Sequence, residues 1–133
     1  MLLREHIKRK YRAVTASRID PSRKPDYIGT WDLEVPAHGL FEVYIDDRNG
    51  DGAFNGHVED AYGQAGITGH TTDGAISFTK TYSRNAKRLG GENNPVFYVG
   101  SRTSDGYEGN FTFDDNGREV VKQFSMRKSP FGQ

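Results

Sequence analysis

The chain has 133 residues, 18 basic and 18 acidic side chains, 34% apolar content and no cysteine. Those figures suit a single domain and exclude disulfides, thiolate metal sites and thiol nucleophiles. No apolar run approaches the ~20 residues of a membrane-crossing helix, so no membrane partner is expected.

Zero net charge hides a division. Residues 1–25 hold eight basic and two acidic side chains, a net of +6, and residues 26–133 carry the balancing −6. Such asymmetry marks an interaction arm. Leu3, Ile7, Tyr11 and Val14 follow helical spacing, which predicts a helix over about 2–17. Pro21 and Pro25 then bracket a linker. The arm (1–25) precedes a separate domain (26–133). It can dock on protein, including the acidic body of its own or a neighbouring copy, or stay solvated. Nucleic acid is not expected, because Tyr11 is the only aromatic residue there for stacking on bases. The first residues turn charged at once, without the apolar stretch of a secretion signal, and a cytoplasmic setting is expected.

From Tyr27 the period becomes two. Alternation predicts eight strands, at about 27–35, 39–47, 52–59, 62–71, 74–82, 95–103, 106–114 and 118–127. The links are short and rich in turn residues, such as Thr72-Asp73-Gly74 and Asp114-Asp115-Asn116-Gly117. Only the link over about 83–94 is long, and no helical pattern separates the strands. Eight antiparallel strands in sequence order predict an all-β, up-and-down barrel. One face is apolar on seven of the strands: Trp31 and Leu33; Phe41, Val43 and Ile45; Phe54 and Val58; Ile76, Phe78 and Tyr82; Tyr98; Phe111 and Phe113; Phe124 and Met126. Five inward glycines (Gly29, Gly56, Gly69, Gly100 and Gly109) each follow an apolar or aromatic residue by two positions. They either make room for neighbouring aromatics or leave a cavity.

Gly29-Thr30-Trp31 on the first strand, with Arg127 late on the last, resembles the calycin signature. The apolar-x-Gly-x-aromatic phrases resemble the avidin family more closely, over residues 27–127. Residues 52–60 are similar to the avidin third strand and its loop. The resemblance implies a barrel that encloses a ligand, Trp31 covered by a late basic residue, and Phe78, Tyr82 and Tyr98 in the places of some biotin-boxing aromatics. It does not imply biotin itself. Trp31 is the only tryptophan, and the polar third-strand residues that grip biotin are replaced by Val58 and Asp60.

Lys80, Arg102 and Lys122 share the apolar face. Either they hold an anionic or polar ligand among aromatics, or they sit at the barrel mouths with stems buried and heads in water. The candidate ligand-binding set is Trp31, Phe78, Lys80, Tyr82, Tyr98 and Arg102. Asp47, Asn49 and Asp51 match the opening of a calcium loop, but position twelve is Val58, and a plain hairpin turn is the simpler reading. His57, Glu59, Asp60 and His70 lack the spacing of a metal or acid–base site. No catalytic residue, metal ligand or cofactor is assigned, and no nucleotide-binding or nucleophile motif is present. The leading reading is a non-enzymatic barrel that binds a small molecule. The alternatives are an assembly module, homo-oligomeric or bound to a protein or nucleic-acid partner through residues 1–25, and a small isomerase or cyclase using Lys80, Tyr82 and Tyr98.

Overall fold

Each strand has one face to bury, and a closed sheet gives all eight faces a common interior. The computed structural model describes residues 22–31 and 39–130. Its strands are β1 (Tyr27–Trp31), β2 (Leu40–Arg48), β3 (Ala53–Asp60), β4 (Gln64–Thr71), β5 (Ala75–Tyr82), β6 (Val96–Arg102), β7 (Gly106–Asp115) and β8 (Arg118–Lys128). Every consecutive pair is antiparallel, and β1 pairs with β8 to close the barrel. The alternation thus locates all eight strands to within a few residues. The expected helix over 2–17 and the extension of β1 past Trp31 lie outside the described residues.

The long link between β5 and β6 differs from expectation. It contains a short helix, α1 (Arg84–Arg88), capped by the Ser83 hydroxyl, which accepts a hydrogen bond from the Ala86 N–H. Ser, Asn and Asp favour this capping position because they satisfy an N–H that the helix itself cannot. Five residues are too few for a helical repeat to show as periodicity. Ala86 is buried against the end of the barrel.

The interior is filled mainly by rings. Phe78 stacks on Tyr98 at 4.5 Å and 9°, Tyr98 on Phe111 at 5.2 Å and 19°, and Phe124 meets Tyr98 edge-on at 5.0 Å. At the β1 side, Trp31 stacks on Phe41 at 5.1 Å. Each such pair adds about 0.5–1.5 kcal/mol beyond its area burial. Two inward glycines sit where a side chain has no room: a methyl group on Gly29 would overlap the Phe41 ring, and one on Gly69 would run into the Ser77 carbonyl and the Phe78 Cβ. The β7–β8 turn uses the residue pair expected there, with Asn116 at φ 55° and Gly117 at φ 82°.

The end of the basic segment grips the barrel wall. Arg23 donates to Asp46 Oδ1 at 2.6 Å and to the Ile45 carbonyl at 2.7 Å, with its guanidinium 5.3 Å from the centroid of the Tyr44 ring. Asp26 Oδ2 accepts the Ile45 N–H at 2.7 Å.

The two glycine environments differ enough to test. Gly29→Ala should destabilise the protein by about 1–3 kcal/mol, the usual cost of overpacking a filled core. Gly66 has open space where a Cβ would stand, so Gly66→Ala should stay within about 0.5 kcal/mol of the parent. Urea unfolding at constant m-value checks both.

Candidate functional site

The β1, β3, β5 and β7 strands all finish at one end of the barrel. Alternation carries their inward faces to Trp31, Asp60, Tyr82 and Phe113, while Val96 opens β6 at the same end. Here ring packing stops short. A cavity of about 120 Å³ remains, lined by Trp31, Tyr62, Lys80, Tyr82, Gly90, Glu92, Val96, Tyr98, Phe111 and Phe113. Two larger hollows of about 430 Å³ lie mainly along outward strand faces and are lined largely by Thr, Ser, Asn, Gln and other polar residues. Neither contains a buried charge.

The cavity does. Lys80 is only 3% exposed and Asp60 5%. Lys80 Nζ donates to the Tyr82 hydroxyl at 2.9 Å, and that hydroxyl donates to Asp60 Oδ2 at 2.5 Å. Nζ and Oδ2 are themselves 3.7 Å apart, so the phenol bridges the ion pair. The other Asp60 oxygen accepts the N–H groups of Tyr62 at 2.8 Å and Gly63 at 3.3 Å. This carboxylate therefore fixes the β3–β4 turn with one oxygen and the Lys80–Tyr82 chain with the other. The ammonium also sits 4.6 Å from the Trp31 ring centroid, 4.4 Å from that of Tyr82 and 5.4 Å from that of Tyr98. Aromatic faces attract cations most where water is excluded.

Burial disfavours every charge in the group. It lowers the Lys80 pKa to about 8 against the pull of Asp60 and Glu92. Asp60 is raised by desolvation, opposed by Lys80 and its hydrogen bonds. Desolvation also raises Tyr82 and Tyr98. Glu92, beside the cavity, is raised first by desolvation and then by Asp115 and Asp114. Tyr98 O accepts the Trp31 Nε1–H at 2.9 Å, leaving its own O–H proton as a donor.

Four of the six residues proposed for ligand binding converge here: Trp31, Lys80, Tyr82 and Tyr98. Phe78 lies behind Tyr98 and supports it without lining the cavity. Arg102, at the far end of β6, is exposed and donates to the Asp73 carbonyl at 3.4 Å. It follows the mouth reading, whereas Lys80 departs from it because its head is buried. Lys122 is half-buried opposite Phe111. The cover expected over Trp31 also changes. Trp31 pairs with Phe124, which leaves Arg127 exposed opposite Ile28, and Lys80 takes the position over the indole.

Asp60 joins Lys80 at the site, on the inward register that Phe54, Gly56 and Val58 mark in the sequence. Glu92 and Tyr62 lie in connections, where alternation gives no guide. Glu59, on the outward register of β3, is nonetheless buried, with its carboxyl raised by desolvation. His57 instead pairs with Asp46. Asp51 caps its own hairpin by accepting the Ala53 N–H at 3.1 Å. Among the described residues, no group of three or more His, Asp or Glu side chains could hold a metal ion.

Compared with protein-family models and with curated protein sequences, the chain matches none.

The buried amine predicts a pH dependence. A free lysine titrates near ~10.4, and Lys80 near about 8 when folded. Between these values the unfolded chain binds the additional proton, so stability rises with pH. Above about pH 10 unfolded tyrosines ionise before Tyr82 and Tyr98, and the trend reverses. Asp60, raised in the folded state, contributes a falling slope on the acid side, above its unfolded value of ~3.9. Urea unfolding should show the protein gaining about 2 kcal/mol between about pH 8 and pH 10, relative to the Lys80→Met/Asp60→Asn double variant.

Proposed function

We propose that the protein is a non-enzymatic binding barrel whose ligand enters the cavity at the Lys80 end. One observation carries the reading: an aromatic-lined pocket at the end of the barrel with a buried lysine amine on its wall. Filled barrels do not need a lysine inside, and burying an ion pair rarely improves stability over apolar packing. An apolar pocket with a few convergent polar groups is the usual form of a small-molecule site. The avidin-like sequence pattern supports the same reading. About 120 Å³ suits a ligand of roughly four to seven heavy atoms, since a cavity of ~150 Å³ takes benzene. The polar end of the ligand would accept hydrogen bonds from Lys80 Nζ and the Tyr98 O–H, and its apolar part would lie against Phe111 and Phe113.

Trp31 is the sole tryptophan and lines the cavity, so its emission reports occupancy directly. Small acids, ketones and alcohols of that size should change Trp31 fluorescence saturably. Lys80→Met should weaken binding of the best of them about tenfold or more, the effect of losing one charged hydrogen bond. If no compound in the series gives a saturable change, this reading fails.

A second reading, an assembly module that uses the basic arm, is favoured by the seat of Arg23 on Asp46 and Tyr44. The arm would extend such contacts onto the acidic wall of another copy. Deleting residues 1–21 should then convert an oligomer to monomers in light scattering coupled to size exclusion. Equal masses for the full and truncated chains would count against it.

A further inference from the structure

We propose that Lys80 is a covalent site for small aldehydes and ketones: its amine condenses with the carbonyl to form an imine, with the Tyr82–Asp60 chain handling the proton. This rests on the binding reading above and names the substrate class of that cavity.

The argument starts from the hydrogen-bond chain. Lys80 Nζ–H points to Tyr82 O, and Tyr82 O–H points to Asp60 Oδ2, at 2.9 and 2.5 Å. Shifting one proton along each bond turns an ammonium and a carboxylate into an amine and a carboxylic acid. Nothing has to enter or leave, and no charge remains in the low-dielectric interior. Most surface lysines lack such a route, and their amines stay protonated at neutral pH. The direction of the shifts at Lys80 and Asp60, down and up respectively, agrees with this exchange.

The cavity provides the remaining elements. In its neutral form the amine borders the space where a ligand would lie, and desolvation is a known way to activate a lysine nucleophile. The Tyr98 hydroxyl, whose oxygen already accepts from Trp31, has its proton to give to a carbonyl oxygen. In the first step the nitrogen lone pair forms the C–N bond, and the C=O π pair moves to oxygen, which is protonated. The nitrogen then loses a proton. In the second step the hydroxyl takes up a proton and leaves as water while the nitrogen lone pair forms C=N, and the resulting iminium gives up the nitrogen's second proton. The overall change is amine plus carbonyl to imine plus water, with no oxidant or reductant. Lys80 is the reacting group. Asp60 acts through Tyr82 and is a positioning residue.

The geometry also limits the carbonyl compound. The space accepts a short aldehyde or ketone and excludes a sugar or a long chain. Glu92 at the cavity wall disfavours an additional carboxylate on the substrate.

Propanal with sodium cyanoborohydride, followed by peptide mass mapping, tests the proposal on the intact protein. The reductant converts any imine into a stable propyl mark. The mark should appear on Lys80 at least about tenfold faster than on Lys8, Lys10, Lys24, Lys87, Lys122 or Lys128, since its neutral fraction is much larger. The Lys80 rate should rise with pH through about 8. In Asp60→Asn the plateau rate should fall about tenfold, and the midpoint should move to lower pH because the carboxylate no longer stabilises the ammonium. A variant with only a structural defect would lose rate without moving the midpoint. Trp31 emission with 1-propanol, which fits but cannot condense, separates the two readings. If 1-propanol binds while Lys80 stays unmodified, imine formation is overturned and the binding barrel stands. If 1-propanol and propanal leave the emission unchanged and Lys80 is unmodified, both are overturned.

Discussion

Closure is the constraint on which the structure depends. A barrel of eight strands has a single narrow interior and no second sheet against which to pack. Whatever points inward must fill that space, and with an apolar fraction of 34% the chain does so with a few large rings. Rings of this size fit more readily where the paired position on the adjacent strand has no side chain. Phe41 is paired with Gly29 and Phe78 with Gly69. The glycines, each costly within a strand, and the aromatics are two halves of one packing solution.

Against that apolar filling the Lys80–Tyr82–Asp60 chain stands out. Removing either charge alone would leave its partner buried and unpaired, at a cost of about 3–5 kcal/mol. The chain is tolerable because Asp60 accepts from two backbone N–H groups as well as from Tyr82, and three rings surround the ammonium. The same contacts tie the β3–β4 turn to β5. Local order at this end of the barrel therefore depends on a polar group, whereas the middle depends on stacked rings.

Much of this was legible in the sequence. Period-two alternation and Asn-Gly or Asp-Gly turns specify all eight strands, and parity places Lys80 on the inward face with Trp31, Tyr82 and Tyr98. What escaped was information that parity does not contain. Arg102 and Lys80 share an inward register, yet one emerges at a mouth and the other stays inside, because depth depends on where along the barrel a strand ends. Asp60 was legible from its register with Val58 but looked like the start of a turn. It is both. The helix at Arg84–Arg88 announces itself only through Ser83, and Glu92 reaches the cavity from an irregular connection. The Arg127 cover expected from the family resemblance did not materialise because register, rather than order in the chain, decides which basic residue meets the indole.

An up-and-down barrel with an even number of strands returns the chain to the rim from which it started. Here the first strand begins and the last strand ends side by side, joined by the hydrogen bond from the Ser129 N–H to the Asp26 carbonyl at 3.0 Å. Asp26 and Ser129 thus meet at the rim opposite Lys80. The barrel is polar in the mechanical sense: one rim joins the first and last strands' outer ends, the other holds the Lys80 cluster, and the parity of the strand count alone imposes that division.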